Sequence, residues 1–434
     1  MLHILTINSG SSSLKFSLYN MEPSEVLLLS GEFDRIGLPH GVFHVKGRSQ
    51  DLDLPDHGAA LHALFEWLAR HGPRVDLDAV GHRLVYGGRE YNKPQLITPK
   101  VMAALKKLVT FAPEHLPHEL NAVQATHQAH PSLPQVACFD TAFHWTSPKI
   151  AKLYPLPRHY WDEGLMRYGF HGLSYAYILQ ELRREAEAEA HGRVIVAHLG
   201  NGASMAAIRD SHPIDTTMGL TPCGGLMMGT RSGGLDPGAV FYLIADGVSP
   251  AAAKRVLNEQ VGLLGLSGVS SNMQDLLDKE ADDPHVAEAI ALFCYQAKKF
   301  LGSLTAVLGG IDTVVFTAGI GANSPCIRRR ICEGLELLGI RLDSALNKAN
   351  AAVISSEGSL VQVRVMKTDE DIMIARYTQE LLRKRDRRPA HPCPRMPVED
   401  EILHEKVCSL DSYIRRRREE LCRRHLLKKD SVHS

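Results

Sequence analysis

Two glycine-rich segments in the middle of this 434-residue sequence carry side chains suited to phosphate binding. The first, HLGNGAS at 198–204, follows a β-branched run at 194–197 that predicts a buried strand. Its glycines permit a tight turn whose backbone N–H groups can approach an anion closely. The second segment, 224–238, places Arg231 among small residues. A permanent cation beside closely packed backbone predicts a charged ligand, with phosphate as the first candidate.

A similar arrangement occurs near the start of the sequence. An apolar strand is predicted over 2–7, followed by the turn NSGSSS at 8–13 and a second strand over 14–18 that contains Lys15. Alone, this turn is equally consistent with an ordinary polar hairpin. Its repetition roughly 190 residues later predicts a duplicated domain, with a polyphosphate held in the cleft between two lobes.

Three isolated ionisable side chains are candidates for the chemistry. Arg83 interrupts the apolar run at 79–86, where it is either ion-paired within the structure or directed at an anionic ligand. Asp140 follows the strand predicted at 135–139, which makes it a candidate metal partner or general base, with a helix N-cap as the alternative. His171 lies between glycines and aromatics, and this setting favours a functional role over a structural one.

The remaining pattern predicts an α/β protein whose elements bring these residues together. A third glycine turn, GIGAN at 319–323, follows a predicted strand at 313–318 and precedes a helix. A last strand is predicted at 361–365, followed by a helix from about 368 to 382. The other predicted helices cover 61–71, 101–111, 174–190, 237–246, 250–258 and 285–308.

Composition restricts the class of protein. The length favours at least two domains, and the formal net charge of zero argues against nucleic acid as the main partner. No apolar run reaches the roughly 18 residues of a membrane span. Eight cysteines without a CxxC pair are typical of buried or incidental thiols in a reducing compartment. These features predict a cytoplasmic protein with no membrane partner.

The C-terminal part has a different character. Residues 383–434 carry 15 Lys/Arg against 9 Asp/Glu, and prolines are frequent from 389 to 397. This composition predicts a flexible linker followed by a solvated helix. Binding of an acidic partner is the less favoured alternative.

Phosphoryl transfer is the reaction that suits these parts, because it requires alignment and charge neutralisation more than covalent catalysis. Arg83 and Arg231 are placed to hold an anionic acceptor and the equatorial oxygens, and His171 to donate a hydrogen bond to the same group. Asp140 and Glu370, together with Asn8, are candidates for positioning Mg²⁺ directly or through water. The sequence has no Walker A motif, which excludes a P-loop enzyme.

The sequence closely resembles the acetate kinase family, which belongs to the superfamily of sugar kinases, Hsp70 and actin. The segments that carry the resemblance span about residues 2–382 and are INSGSSSLKFSLY, GHRLVYGG, FDTAFH, YGFHGLSY, HLGNGAS, DTTMGLTP, GGLMMGTRSG, TAGIGANS and TDEDIMIAR. The resemblance implies a duplicated two-lobe, ribonuclease H-like α/β fold with the active site between the lobes. It also implies reversible, direct in-line phosphoryl transfer from ATP to acetate, giving ADP and acetyl phosphate, with Mg²⁺ (or Mn²⁺) in a homodimer.

The resemblance also implies lobe boundaries and residue roles. The N-terminal lobe would comprise 1–150 and 371–385, the C-terminal lobe 151–370, and the extension 386–434. The catalytic residues would be Asp140, His171 and Arg231, the metal residues Asn8 and Glu370, and the substrate-binding residues Arg83, Val85, Phe170 and Pro222. The nucleotide-binding residues would be Ser11, Ser13, Lys15, His198, Leu199, Gly200, Asn201, Gly202, Asn272, Met273, Gln274, Gly319, Ile320, Gly321, Ala322 and Asn323.

Several positions depart from the family pattern. Asn272-Met273-Gln274 stands where the family has Asp-x-Arg against the nucleoside, and Ala322 replaces a glutamate, so altered nucleotide binding is expected. Glu114 stands at an apolar position that lines the acyl methyl pocket, where a carboxylate would repel acetate or be neutralised by a raised pKa. The other departures are Tyr86 for histidine, Asp371 for glutamate, and Gly234 for a frequent aspartate.

These departures leave alternatives open. One is an acyl kinase that prefers propionate or butyrate. Another is a non-catalytic relative that binds nucleotide or acyl phosphate. The retention of Arg83, Asp140, His171 and Arg231 favours catalysis, and sugar kinases lack this combination of two arginines with the GFHG segment.

Overall fold

The computed structural model describes residues 1–386, which form thirteen strands and sixteen helices. The strands are β1 (His3–Ser9), β2 (Ser13–Asn20), β3 (Val26–Asp34), β4 (Gly41–Val45), β5 (Arg48–Leu52), β6 (Ala79–Leu84), β7 (Gln95–Leu96), β8 (Gln135–Phe139), β9 (Arg193–Leu199), β10 (Ala203–Arg209), β11 (His212–Thr216), β12 (Thr313–Thr317) and β13 (Gln362–Val365). The helices are α1 (His57–His71), α2 (Pro99–Lys107), α3 (Leu116–Ala129), α4 (Lys149–Lys152), α5 (Arg158–Asp162), α6 (Gly172–Glu185), α7 (Glu187–Ala190), α8 (Pro237–Ala245), α9 (Pro250–Glu259), α10 (Gly262–Ser267), α11 (Met273–Lys279), α12 (Pro284–Leu308), α13 (Ala318–Asn323), α14 (Pro325–Cys332), α15 (Ser344–Lys348) and α16 (Glu370–Asp386).

The strands form two sheets that share one internal design. The first has the order β5-β4-β3-β2-β1-β6-β8-β7 and the second β11-β10-β9-β12-β13. In each sheet an antiparallel hairpin, β1–β2 or β9–β10, is continued by two parallel strands, β6–β8 or β12–β13. The predicted duplication and the mixed α/β class are therefore confirmed. Because parallel strands end at the same sheet edge, the polar residues that follow them converge.

The helices cover the sheets through apolar faces. Helices α1 and α3 pack against β1 to β4, where the rings of Phe33 and Phe43 stack 4.3 Å apart. The long helix α12 is the centre of the largest cluster and packs on the second sheet. Burial of these apolar faces supplies the main driving force for folding.

Helix α6 contacts both halves of the chain. Leu173 packs with Val136 and Cys138 of the first sheet, whereas Ile178 and Leu182 pack against the second sheet. Its N-terminus therefore lies where the two sheets meet, and it carries His171 at that point.

Most predicted elements are confirmed with small shifts in their ends. Strand β8 has the predicted bounds, and α12 ends at Leu308, where Gly309 takes the left-handed conformation with φ of 72°. The single helix predicted at 174–190 is wrong, because Ala186 adopts φ −153° and ψ 73° and separates α6 from α7. The helix predicted at 101–111 ends at Lys107 and continues as a 3₁₀ turn, Leu108–Thr110.

Two further results concern the ends of elements and the tail. Ala318, predicted as strand, begins α13 with φ of 65°. Helix α3 was not predicted. Within residues 1–386, no helix is long and apolar enough to cross a membrane. The predicted linker and solvated helix of the tail lie outside the described residues.

Candidate active site

Arg83 lies at the centre of a cluster that joins three of the predicted site residues. Its Nη2 and Nε donate to the Asp140 carboxylate at 2.7 and 3.2 Å, and its Nη1 donates to Asn8 Oδ1 at 3.0 Å. Glu370 Oε2 lies 3.7 Å from Arg83 Nε. The structure thus brings together all the residues predicted for the metal and the substrate carboxylate on this side of the site.

Neighbouring parallel strands produce this cluster. Arg83 stands near the end of β6, opposite Cys138 of β8, and Asp140 is the first residue after β8. A Cβ on Gly172 would lie 2.0 Å from the Asp140 carbonyl oxygen, so only glycine allows α6 to start here. Both carboxylate oxygens of Asp140 accept hydrogen bonds from Arg83. Asp140 is therefore an ion-pair partner of Arg83, and the alternative role as a helix N-cap is wrong.

The electrostatics of the cluster follow from burial and charge. Burial lowers the pKa of Arg83, but the charges of Asp140 and Glu370 outweigh it, and the net shift is upward. Burial raises the pKa of Glu370, and the charges of Asp140 and Asp371 add to this effect. The guanidinium therefore stays charged and compensates the carboxylates around it.

The oxygen atoms here suit a hard divalent cation. Two carboxylates, Asp140 and Glu370, and the amide oxygen of Asn8 converge on the Arg83 guanidinium. Residues 1–386 contain no group of three or more His, Cys, Asp and Glu arranged to hold a metal. The oxygen atoms of Asn8, Asp140 and Glu370 fit a cation such as Mg²⁺, which keeps several waters and uses one or two carboxylates beside the phosphate oxygens.

His171 stacks on His198 at the start of α6. The ring centroids are 4.1 Å apart and the planes differ by 14°. His171 Nδ1 is 2.8 Å from Ser204 Oγ, and His198 Nδ1 is 2.8 Å from Ser174 Oγ. Burial lowers the pKa of both rings, for His198 to about 3, and the positive charge of Arg83 contributes to both shifts. Both imidazoles are therefore neutral near pH 7.

Gly202 in the predicted phosphate loop lies between His171 and Arg231. A Cβ built on Gly202 would be 3.2 Å from His171 Nε2 and 4.0 Å from Arg231 Nη1. Arg231 Nη1 also donates to the Pro222 carbonyl at 3.2 Å, which fixes the guanidinium over this loop. The donor side chains of His171 and Arg231 thus both lie close to the backbone of the loop at Gly202.

The second glycine segment packs closely on the first. The N–H of Gly229 donates to the carbonyl of Asn201 at 2.9 Å. A Cβ on Gly229 would lie 1.8 Å from Asn201 Oδ1, so a side chain there would displace the loop. The small residues therefore hold Arg231 against the phosphate loop.

The three predicted nucleotide segments line one cavity of about 420 Å³. Its walls are Gly200, Asn201, Ser271, Asn272, Met273, Gln274, Leu277, Gly319, Ile320, Asn323 and Ser324. None of these side chains is charged. Asn272 Oδ1 accepts from Gln274 N at 2.8 Å and caps α11, so this departure from the family pattern has a structural role. Ala322 is buried and does not line the cavity.

The predicted residues of the first hairpin lie at its turn. Asn8 pairs with Lys15 across β1 and β2, which places both side chains on the same face of the sheet. Gly10 N donates to the Ser13 carbonyl at 2.8 Å and closes the turn, and Ser11 is exposed. Lys15 also lines an open hollow of about 740 Å³ with Ser17.

The predicted acyl side is apolar at its base and charged at its rim. Val85 and Phe170 are buried in one cluster with Tyr86. Glu114 is 48% exposed and pairs with Lys254 of α9 at 3.3 Å. Lys254 therefore lies close enough to offset the negative charge of Glu114.

Sequence reasoning missed two ionisable residues of this region. Glu119 of α3 is buried, and both its carboxylate oxygens accept from the Val85 N–H at 3.1 and 3.2 Å. Burial raises the pKa of Glu119 to about 8. Burial and the charges of Arg231 and Arg83 lower the pKa of His115 to about 4. The sequence signal that could have found Glu119 is a polar residue at an apolar position of a helix. It was missed because α3 itself was not predicted.

Comparison with known proteins agrees with this geometry. The family model described as "Acetokinase family" matches residues 3–376. The acetate kinase of Methylocella silvestris is 44% identical over 397 residues, which cover 87% of this chain and 98% of that protein.

Solved structures show the same fold. The crystal structure of Porphyromonas gingivalis acetate kinase has a TM-score of 0.81 and 36% identity, over 88% of this chain and 100% of that one. A propionate kinase from Francisella tularensis has a TM-score of 0.83 and 35% identity, with the same coverage. The matches extend over both sheets and every predicted site residue, and this chain belongs to the acetokinase family.

Proposed function

We propose that this protein is an acetate kinase, which transfers the γ-phosphoryl group of ATP reversibly to the carboxylate of acetate with Mg²⁺. The observation that carries the proposal is the position of Gly202, which lies between His171 Nε2 and Arg231 Nη1. The Arg83–Asp140 cluster provides the acid-binding charge, and the uncharged cavity beside Gly200 accommodates a nucleoside.

Arg83 can bind the acceptor without leaving Asp140. A guanidinium has five N–H donors, and three of them are used by Asp140 and Asn8. The remaining two, one on Nη1 and one on Nη2, are available for the acetate carboxylate. This fixed orientation aligns the attacking oxygen with the phosphoryl group.

His171 and Arg231 stabilise the phosphoryl group during transfer. The neutral His171 donates through Nε2–H, and Arg231 donates from its guanidinium to the equatorial oxygens. The backbone of 198–202 and the neighbouring cavity hold the rest of the nucleotide. Asn8, Asp140 and Glu370 would hold Mg²⁺, which neutralises phosphate charge when bound.

A hydroxamate assay tests the proposal. Acetate, propionate and butyrate are each combined with several nucleoside triphosphates, and acyl phosphate is trapped with hydroxylamine. We expect acyl phosphate with acetate and ATP. Nucleotide binding without product under any pairing would overturn the kinase proposal and favour the non-catalytic alternative, whereas a higher kcat/KM for propionate or butyrate would reassign the substrate.

A homodimer is part of the proposal. None of the residues of α8 is buried, although its sequence is PGAVFYLIA, and Phe241 and Tyr242 are 69% and 70% exposed. An apolar helix of this kind is typical of a surface that is covered by a partner. We assign a second copy of this chain as that partner.

Lobe boundaries and location complete the proposal. We propose an N-terminal lobe of 1–150 with 371–385 and a C-terminal lobe of 151–370, which the two separate sheets support.

A cytoplasmic location is supported by the five described cysteines, all of which are free.

A further inference from the structure

We propose that Tyr175 and Ser204 are positioning residues that hold His171 as the Nε2–H tautomer, with the proton directed at the transferred phosphoryl group. The proposal rests on the proposed function of His171. It concerns which ring nitrogen of His171 carries the proton, and the assignment of His171 as a donor does not by itself explain this.

The three residues form a buried chain of hydrogen bonds. His171 Nδ1 is 2.8 Å from Ser204 Oγ, and Ser204 Oγ is 2.5 Å from the Tyr175 hydroxyl. Ser204 and Tyr175 are fully buried. Tyr175 lies one helical turn after His171 in α6, and Ser204 lies in β10, so two packed elements fix the geometry.

The direction of the chain follows from counting donors. If Tyr175 donates to Ser204, then Ser204 donates to the Nδ1 lone pair, and every hydroxyl proton in the chain has an acceptor. If His171 Nδ1–H donates to Ser204 instead, one hydroxyl proton, that of Ser204 or that of Tyr175, has no acceptor among the hydrogen bonds of the described residues. A buried donor without a partner is destabilising, so the first direction is favoured.

The first direction places the ring proton of His171 on Nε2, where it can be donated to a phosphoryl oxygen. A hydrogen bond accepted at one ring nitrogen puts the proton of a neutral imidazole on the other nitrogen. Nε2 of His171 is the atom that approaches Gly202 of the phosphate loop. The opposite tautomer would direct a lone pair at the phosphoryl oxygens and repel them.

His198 strengthens the requirement for a neutral donor. Its ring lies parallel to His171 at 4.1 Å, and a proton added to either ring would place a charge against the other. Because His171 cannot act as imidazolium in this stack, its tautomer decides whether it donates to the phosphoryl group. The relay through Ser204 makes that choice before substrate binds.

The test combines a tautomer measurement with kinetics. Full-length protein is labelled with ¹³C and ¹⁵N in histidine, and the His171 ring signals are assigned by their loss in His171→Asn. Tyr175→Phe removes one hydroxyl and keeps the ring. Without the Tyr175 hydroxyl, Ser204 still donates to Nδ1 but is no longer polarised by an accepted hydrogen bond. We therefore expect a smaller share of the Nε2–H tautomer than in the parent, and a kcat lowered up to about tenfold with little change in the KM values.

Two further variants complete the experiment. Ser204→Ala removes the hydroxyl that donates to His171 Nδ1 and should shift the tautomer and lower kcat at least as strongly. Tyr177→Phe is the matched control, because Tyr177 also lies in α6 but packs beside Leu173 and the Arg376 guanidinium, away from Ser204. This control should leave the His171 shifts and kcat unchanged.

The outcomes separate this inference from the proposed function. His171 signals of the Nδ1–H form in the unmodified protein, or Tyr175→Phe and Ser204→Ala shifts identical to those of the parent, would overturn the positioning role even in an active kinase. If Tyr175→Phe unfolds, the tautomer of the unmodified protein still decides. An Nε2–H signal in a protein without acyl phosphate activity would instead overturn the proposed function.

Discussion

Arg83 and Asp140 form a two-point ion pair in which Nη2 and Nε of the arginine bond both oxygens of the carboxylate, at 2.7 and 3.2 Å. The pair unites the predicted acid-binding residue with the predicted catalytic aspartate. The sequence alone leaves Arg83 as either a structural or a ligand-binding residue. The geometry shows the structural ion pair, and two N–H groups remain after Asp140 and Asn8 are satisfied, which the proposed function uses for acetate.

Arg83→Lys should raise the acetate KM by about tenfold or more, because an ammonium group cannot keep the two-point contact with Asp140 and also bind acetate in a fixed orientation. The ATP KM should change much less. Initial rates at varied acetate and fixed ATP measure the effect. An acetate KM within twofold of the parent would show that another residue binds the acid.

Arg231→Ala should lower kcat several hundredfold, which corresponds to about 3–4 kcal/mol for the loss of a transition-state donor. The reason is the position of its guanidinium beside Gly202 and Pro222. Arg184→Ala, at an exposed position paired with Glu181, is the control for a lost arginine. Turnover of Arg231→Ala within threefold of the parent would contradict the assignment.

Lys254→Met should raise the acetate KM severalfold at low ionic strength, because it leaves the Glu114 carboxylate uncompensated at the rim of the site. The double variant with Glu114→Leu should return the KM to the parent value or below it. Glu114→Leu alone should lower the KM modestly. The pair itself is exposed and contributes only about 0–1 kcal/mol to stability, so folding is not expected to change.

These three variants also have a clear negative outcome. If Lys254→Met and Glu114→Leu leave the acetate KM unaltered at both low and high salt, the pair lies too far from the acid to influence it. A change in the ATP KM alone would place the pair on the nucleotide side.

Glu119 should make the protein less stable as the pH rises. Its pKa is raised from 4.5 in the unfolded chain to about 8 in the folded protein. Below pH 4.5 both states are protonated and its contribution is complete. Between 4.5 and 8 only the unfolded state has released the proton, so the free energy of unfolding falls, by at most about 1.4 kcal/mol per pH unit.

Glu119→Gln tests this dependence in urea denaturation from pH 5 to 9. The variant should lose the decline that the parent shows in this window. Glu114→Gln, at an exposed position, is the control and should retain it. Identical slopes for the parent and Glu119→Gln would show that Glu119 is ionised throughout.

Phe241→Glu combined with Tyr242→Glu should convert the proposed homodimer to a monomer, because two charges would enter the proposed contact between copies of α8. Sedimentation equilibrium measures the mass. Leu337→Glu, at a single residue that is 81% exposed, is the control and should stay dimeric. A parent protein that sediments as a monomer would remove the basis for the proposal.

Local sequence patterns determined the elements and the chemical groups. The glycine turns at 8–13 and 198–204 lie beside strands as predicted, since glycine and strand signals depend on nearby residues. The turn predicted at 319–323 is wrong, because these residues belong to helix α13, which directly follows β12. The repetition of the hairpin predicted the duplicated sheet. Arg83, Asp140, His171 and Arg231 were found because a charge or imidazole in an apolar or small-residue setting needs an explanation.

Tertiary structure decided the contacts between these groups, because they join residues far apart in the chain. The position of Lys254 opposite Glu114 and the burial of Glu119 depend on how α3 and α9 pack, which no local pattern contains. The hydrogen bonds from Tyr175 through Ser204 to His171 join α6 to β10, and Ser204 and His171 are 33 positions apart in the sequence. Sequence therefore set which donors and acceptors exist, and packing of distant elements set which of them meet.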